Sequence, residues 1–275
     1  LRELGAEPVV ADALDREAVM AAVIEARPDV VVHQLTAIAA MGRKLDASFV
    51  MTNRLRTEGT DNLIAAARAA GARRFVGQSF APWSYKREGG PAKAEDAPLE
   101  NDPPKHVHET VRAIRHLEAA AVTGAPDLEG IVLRYGGFYG PGTSISRAPG
   151  AEQAEMVRKR RFPIVGKGTG VFSFIHVDDA AGATVAAVER GAPGIYNIVD
   201  DEPAPSGEFI PAIAEALGAP KPLRIPAWLA RLFAGDVAVT MMTEGRGFSN
   251  AKAKRELGWE LRYPSWRQGF REELA

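Results

Sequence analysis

The chain has 275 residues, 46% of them hydrophobic and 25% charged, which excludes a disordered or fibrous protein and allows one large α/β unit with an appended lobe. Lys and Arg number 34 against 35 Asp and Glu, so the net charge of −1 provides no global field for nucleic acid or an anionic membrane, and a small ligand is expected instead. With no cysteine, disulfides, thiolate nucleophiles and Cys-ligated zinc are excluded together.

Residues 1–5 read as the last turn of a helix closed by Gly5, which implies that structure precedes it. They have no signal-peptide features, and no apolar run approaches the roughly 18 residues that span a bilayer. The expectation is a cytoplasmic protein without a membrane partner. Residues 8–12 (PVVAD) read as a short strand, and Asp15 caps a helix to about residue 26. Residues 28–37 (PDVVVHQLTA) form an apolar strand ending in a polar turn. A long helix follows over 48–70, with Leu63, Ile64 and Ala67 on one face and Gly71 closing it. Strands are expected at 74–79 and 131–135, separated by a helix over 107–122. Strands alternating with helices predict a doubly wound parallel sheet. From Gly136 the texture changes: GGFYGPG, a basic helix around 152–161, then two strands around a glycine turn in FPIVGKGTGVFSFIHV. Regular order returns with a helix over 178–190 and a strand over 194–199, before a proline-rich C-terminal part.

In an open parallel sheet, ligands bind beyond the carboxyl ends of the strands. Those ends carry Asp12, Leu35 to Ala37, Ser79, Tyr135 and the loop near Asp200. Asp12 offers a carboxylate to an adenine amine or ribose hydroxyl, or serves as a turn aspartate. Thr36 and Ala37 are small enough for a ligand to approach the backbone, as ordinary loop filler also is. Ser79 is placed to hydrogen-bond a substrate hydroxyl or carbonyl, with Ser84 nearby, and Tyr85 is a candidate acid on the loop 83–95. The alternative for Tyr85 is an exposed aromatic. His106 and His108 lack further ligands, so no metal is expected. His33, in an apolar strand, reads as a satisfied core histidine. No G-x-S-x-G elbow supports a hydrolase triad. Residues 158–161 (RKRR) form a solvated basic face or a diphosphate clamp. Trp228, Trp259 and Trp266 are expected to pack the small lobe.

The segments PDVVVHQLTA, RTEGTDNLIAAARAAGARRFVGQS, LRYGGFYGPG, FSFIHVDDAA, GIYNIV and AKAKRELGW resemble, in sequence and order, extended short-chain dehydrogenase/reductases of the NAD-dependent epimerase/dehydratase type. The resemblance covers nearly the whole chain. It implies a Rossmann-like dinucleotide-binding domain over 1–135 and 178–200, and a substrate lobe over 136–177 and 201–275. It also implies NAD or NADP as cofactor and a nucleotide-sugar or similarly polar substrate. On this resemblance Asp12 faces the adenine, Leu35, Thr36 and Ala37 line the ribose and phosphates, and Tyr135, Gly136 and Phe138 approach the nicotinamide. Residues 176–179 join the lobes, Arg246 meets a substrate phosphate, and the helices over 48–70 and 107–122 form a homodimer interface.

Three departures qualify the resemblance. The G-x-x-G-x-x-G turn that presents backbone N–H groups to the pyrophosphate is absent, together with the family's first strand, helix and second strand, roughly 50 residues. Nothing here therefore favours NAD over NADP, and the residues as given are expected to bind dinucleotide weakly. Micromolar affinity by calorimetry would refute that expectation. Second, no Tyr-x-x-x-Lys pair occurs; Thr110 and Ile114 stand in its place, with His108 and Arg112 as a displaced pair. Third, Arg56 replaces the family's asparagine, although Asn53 lies one turn earlier. The expected activity is hydride transfer with Ser79 polarising the substrate oxygen and Tyr85 or His108 moving the proton. The alternative is a cofactor-binding sensor that has lost the dyad.

Overall fold

The computed structural model describes residues 1–38, 45–80, 85–86, 88–103 and 105–275, without the side chains of residues 45–48, 106 and 237. After a 3-10 turn (Arg2–Leu4) closed by the left-handed Gly5, as expected, and an irregular stretch, α1 (Arg16–Ala26) begins at Asp15, whose carboxylate accepts from the Glu17 and Ala18 N–H groups. Then come β1 (Val30–His33), α2 (Leu45–Arg54), a π-helical turn (Leu55–Gly59), α3 (Thr60–Ala69) and β2 (Arg74–Phe80). The next elements are α4 (His108–Val122) and β3 (Glu129–Tyr135). The lobe opens with β4 (Gly137–Tyr139), α5 (Glu152–Arg158) and β5 (Phe174–His176). α6 (Val177–Arg190) and β6 (Gly194–Ile198) return to the sheet, followed by α7 (Ser206–Ala216), α8 (Ala227–Glu244), α9 (Ala251–Leu257) and α10 (Trp266–Leu274).

The main sheet has the order β1-β2-β3-β6, every pair parallel, with Arg74 opposite Glu129 and Phe80 opposite Tyr135. Parallel strands need helical crossovers, so both faces are covered. Val76, Ile131, Leu133 and Tyr196 pack with α6 and α9 on one face; Phe75, Val132 and Val31 pack with α3 and α4 on the other. This is the doubly wound α/β sheet the alternation predicts. A second core of Tyr139, Phe174, Phe209, Ile210, Trp266 and Phe270 lies in the C-terminal lobe.

Helix α4 sits so close to β3 that a Cβ on Gly130 would fall 1.8 Å from the Ala121 carbonyl oxygen. Ala121 and Leu117 are fully packed, so the helix has nowhere to retreat. Gly130→Ala is expected to cost about 1–3 kcal/mol in urea unfolding; an unchanged midpoint would mean the helix–sheet spacing is softer than the structure implies.

Three expectations need correcting. Residues 8–12 are irregular, with Val10 fully exposed. A strand exists only by pairing, and among the described residues no strand lies beyond β1 to receive this one. The segment 162–177 is not a hairpin. Ile164–Val165 pairs with Arg224–Ile225, Val171–Phe172 with Ala204–Pro205, and β5 with β4. Gly170 serves close approach instead: a Cβ there would fall 2.3 Å from the Met241 carbonyl oxygen of α8. Of the tryptophans, Trp266 packs the lobe, Trp259 packs the sheet core, and Trp228 is 65% exposed. Among the described residues no helix is long and apolar enough to cross a membrane.

Candidate functional site

The carboxyl ends of β2 and β3 are tied together by one buried polar network. Ser79 Oγ donates to Glu118 Oε1 at 2.6 Å, and Arg134 clasps the same carboxylate through Nε at 2.7 Å and Nη2 at 2.5 Å. Arg134 Nη1 donates to the Tyr85 hydroxyl, which donates to Asn197 Oδ1 at 3.3 Å. Asn197 in turn donates to the Lys93 and Ser249 carbonyls. All five linked side chains are at most 5% exposed. Burial pushes the Tyr85 phenol up, against the pull of Arg134. The structure thus brings Ser79 and Tyr85 together through Glu118 and Arg134 and commits both hydroxyls to protein partners. His108 is apart from this network: it is exposed on the first turn of α4, 3.6 Å from Glu109, which also pairs with Arg112 at 2.8 Å. Ser84, Trp83 and the His106 side chain lie outside the described residues.

The loop after β1 is open: Leu35, Thr36 and Ile38 are exposed and Ala37 is half-buried. Ala37 N donates to Thr52 Oγ1 on α2 at 3.1 Å, which seats this loop on the helix. Asp12, also exposed, accepts from Leu14 N at 2.9 Å in its own turn. The Tyr135 hydroxyl is buried against Thr184 Oγ1 at 2.6 Å and accepts from Gln34, with Phe138 half-buried beside its ring at 5.3 Å. Gly136 and Gly137 spend their N–H groups on the Ile198 and Ser173 carbonyls, so they form no phosphate cradle. Asp200 is buried where α10 begins, accepting from Trp266 N; burial pushes it up to about 8. Arg246 is half-buried beside Gly245. The open loop after β1 mixes the large Leu35 and Ile38 with the small Thr36 and Ala37, and Gln34 at its start joins it to the Tyr135 hydroxyl. No described glycine turn fits the pyrophosphate.

On the same face of α4 as Glu118, Thr110 meets Asn53 Nδ2 at 3.2 Å, while Ile114 is sealed in an apolar cluster with Val107 and Val111. His33 is 1% exposed; its Nδ1 accepts from Leu35 N at 3.2 Å, but Nε2 has no hydrogen-bond partner among the described residues, so it is only half satisfied. Burial, with the nearby Arg56 charge, pushes His33 down to about 4. A base depressed on folding supports the fold above its unfolded pKa, near 6.5, and that support is lost as pH falls toward 4. The wild type is expected to lose about 3 kcal/mol over this window relative to His33→Asn. Urea unfolding at both ends of the window checks this; parallel losses in the two proteins would disprove it.

The sequence reading missed the Glu118–Arg134 pair. The signal was present: an arginine inside the apolar run IVLRY is buried only with a partner.

A parallel sheet with its polar groups gathered at the strand ends defines a Rossmann-like nucleotide-binding architecture. Residues 2–199 match the NAD dependent epimerase/dehydratase family, and the chain belongs to that family. It is 49% identical over 266 residues to a 3-diazoavenalumate denitrifying reductase from Streptomyces sp, covering 96% of this chain and 86% of that one. It is 31% identical over 230 residues to a 2-alkyl-3-oxoalkanoate reductase from Stenotrophomonas maltophilia, covering 80% of this chain and 66% of that one. Among solved structures, Thermus thermophilus UDP-glucose 4-epimerase in complex with NAD superposes with a TM-score of 0.70 at 24% identity, covering 96% of this chain and 82% of that one.

Proposed function

We propose that this protein is an NAD(P)-dependent reductase that replaces a carbon-bound diazonium nitrogen by hydrogen on a small carboxylate substrate. One observation carries the reading: in a chain half identical to a denitrifying reductase of a diazo carboxylate, the helix positions where the resemblance expects a tyrosine–lysine acid hold Thr110 and Ile114, both committed to packing. Reducing a carbonyl requires a proton at oxygen as well as a hydride at carbon. Displacing dinitrogen does not. The cation R–N2+ accepts a hydride at carbon, the C–N bond breaks with its electron pair, and R–H and neutral N2 leave with no proton moved. A bound reduced nicotinamide supplies that hydride and ends as the oxidised cation, so charge balances.

On this reading Leu35, Thr36, Ala37, Tyr135, Gly136 and Phe138 hold the nicotinamide half, and Asp12 meets the adenine. Arg246 contributes to the substrate side. Ser79 and Tyr85 act as positioning residues that fix the strand ends through Glu118 and Arg134, and His108 has no proton to deliver. Support for a nucleotide-sugar substrate comes from a match at 32% identity over 199 residues to a dTDP-glucose 4,6-dehydratase, of which the chain covers 58%, and from fold-level likeness to the epimerase.

The test supplies the full-length protein with NADH or NADPH and either 3-diazoavenalumate or a panel of UDP-, GDP- and dTDP-sugars. The expected result is one N2 released per cofactor oxidised, with deuterium from labelled cofactor on the product carbon. The same rate is expected in Tyr85→Phe and His108→Ala within a few-fold. Oxidation with a sugar nucleotide alone would replace this reading. Cofactor binding without turnover on any substrate would favour a sensor.

A further inference from the structure

Three buried polar atoms without a hydrogen-bond partner among the described residues lie on segments that converge near the end of β1: His33 Nε2, Asn53 Oδ1 and Arg56 Nη1. Their surroundings connect them. The Leu55 backbone and the Arg56 charge both act on His33. Asn53 reaches Thr110, and Glu118, two turns further along α4, acts on Arg56. Above them runs the exposed loop of Leu35 and Ile38, seated on Thr52 next to Asn53.

The charge in this region does not balance. Glu118 already accepts from Ser79 Oγ and Arg134 Nε at Oε1 and from Arg134 Nη2 at Oε2, so most of its acceptor capacity is taken. No contact short enough to be an ion pair joins it to Arg56 among the described residues. Arg56 is only 7% exposed and Arg134 only 1%, and His33 beside them is neutral. Among the described residues two buried guanidiniums therefore share one carboxylate, leaving a positive charge in excess where buried charges are ordinarily paired. Burial pushes Arg56 down to about 10, which leaves it protonated at neutral pH.

The donors suit an oxyanion. Because His33 Nδ1 accepts from Leu35 N, the neutral ring carries its proton on Nε2, the atom that faces the Leu55 backbone beside Arg56. The Asn53 amide can turn over, since the Thr110 hydroxyl donates as readily as it accepts, and would then point an N–H toward the same region. We infer that Arg56, flanked by His33 and Asn53, receives the carboxylate of the substrate beside residues 35–38 at the end of β1. This inference rests on the proposed carboxylate substrate, and it makes Arg56 a specificity-determining residue that a sugar substrate would not need.

The experiment compares wild type with Arg56→Met and Arg56→Lys. The first readout is the unfolding midpoint in sodium acetate, against sodium chloride at equal ionic strength and against uncharged acetamide. Acetate is expected to stabilise the wild type beyond chloride, acetamide to do nothing, Arg56→Met to lose the response and Arg56→Lys to keep a weaker one. Without acetate, Arg56→Met is expected to be at least as stable as the wild type, because it removes an unpaired buried charge. The second readout is kinetic: Arg56→Met is expected to raise KM for the diazo carboxylate on the order of tenfold to a hundredfold, leaving kcat and the KM of its methyl ester within a few-fold. A less stable Arg56→Met that still responds to acetate would assign Arg56 to structure and overturn the inference. So would stabilisation by inorganic phosphate but not acetate, or weaker NADPH binding in Arg56→Met, since either would give the site to the dinucleotide. If no diazo substrate turns over, the reaction reading fails, while the acetate response still judges Arg56.

Discussion

Glu118→Gln is expected to lower the unfolding free energy by about 3–5 kcal/mol, among the largest effects of any single substitution in the sheet domain. The reason is the asymmetry of buried ion pairs. Forming one gains little over an apolar pair, but removing one partner strands the other charge. Here the stranded group would be Arg134, 1% exposed and locked between β2 and β6, with a second guanidinium, Arg56, close enough to feel the same carboxylate. The Glu118 carboxylate and the Tyr85 hydroxyl together hold the Arg134 guanidinium more firmly charged than usual despite its burial. Replacing both members, Glu118→Leu with Arg134→Met, is expected to recover most of the loss. The remainder is the Ser79 hydroxyl, left without its acceptor, at about 1–3 kcal/mol. Urea unfolding of the single and double variants measures both quantities. A single variant within 1 kcal/mol of wild type would mean that water or a neighbouring group reaches Arg134.

The architecture was legible because its strands are buried on both faces and therefore written as short apolar runs. Residues 74–80, 129–135 and 194–198 announce themselves, and the helices between them carry an apolar stripe and a terminal glycine. What failed was non-local. PVVAD has the composition of a strand, but composition cannot state whether a neighbour exists to bond with. The glycines of 166–170 look like a hairpin turn, yet only Gly166 and Gly168 take the left-handed backbone of a turn, while Gly170 is set by the approach of α8 from more than seventy residues away. The site divides in the same manner. Leu35 to Ala37 are singled out because they end a strand, and topology alone draws attention to strand ends. The partnership of Glu118 with Arg134 joins a helix to a strand, and nothing local writes that pairing. Arg56 stood out only as a departure from a resemblance; its meaning came from burial and from the lack of a partner.

Grafting the missing acid back, Thr110→Tyr with Ile114→Lys, is expected to destabilise the protein by about 4–5 kcal/mol at pH 7 from the lysine alone. Ile114 is 1% exposed and packs with Val107, Val111, Phe80 and Met241, so an ammonium there loses its water without gaining a partner. Glu118, one turn along, already neutralises Arg134 and accepts three hydrogen bonds from Ser79 and Arg134. The tyrosine adds overpacking, because Thr110 is 6% exposed and bonded to Asn53, at a further cost of about 1–3 kcal/mol. The lysine contribution has a signature. A lysine depressed on folding is tolerated above its unfolded pKa and opposes folding below it. The gap between the variant and wild type should therefore narrow as pH rises toward about 10.4. Urea unfolding across that range separates the charge from the steric part. If the double variant instead folded with wild-type stability and reduced a ketone, positions 110 and 114 would be an emptied active site rather than a packed one. The argument for a reaction that needs no proton donor would then lose its footing. A steep loss that narrows with pH would mean that the chain has spent those positions on its core and does its chemistry without them.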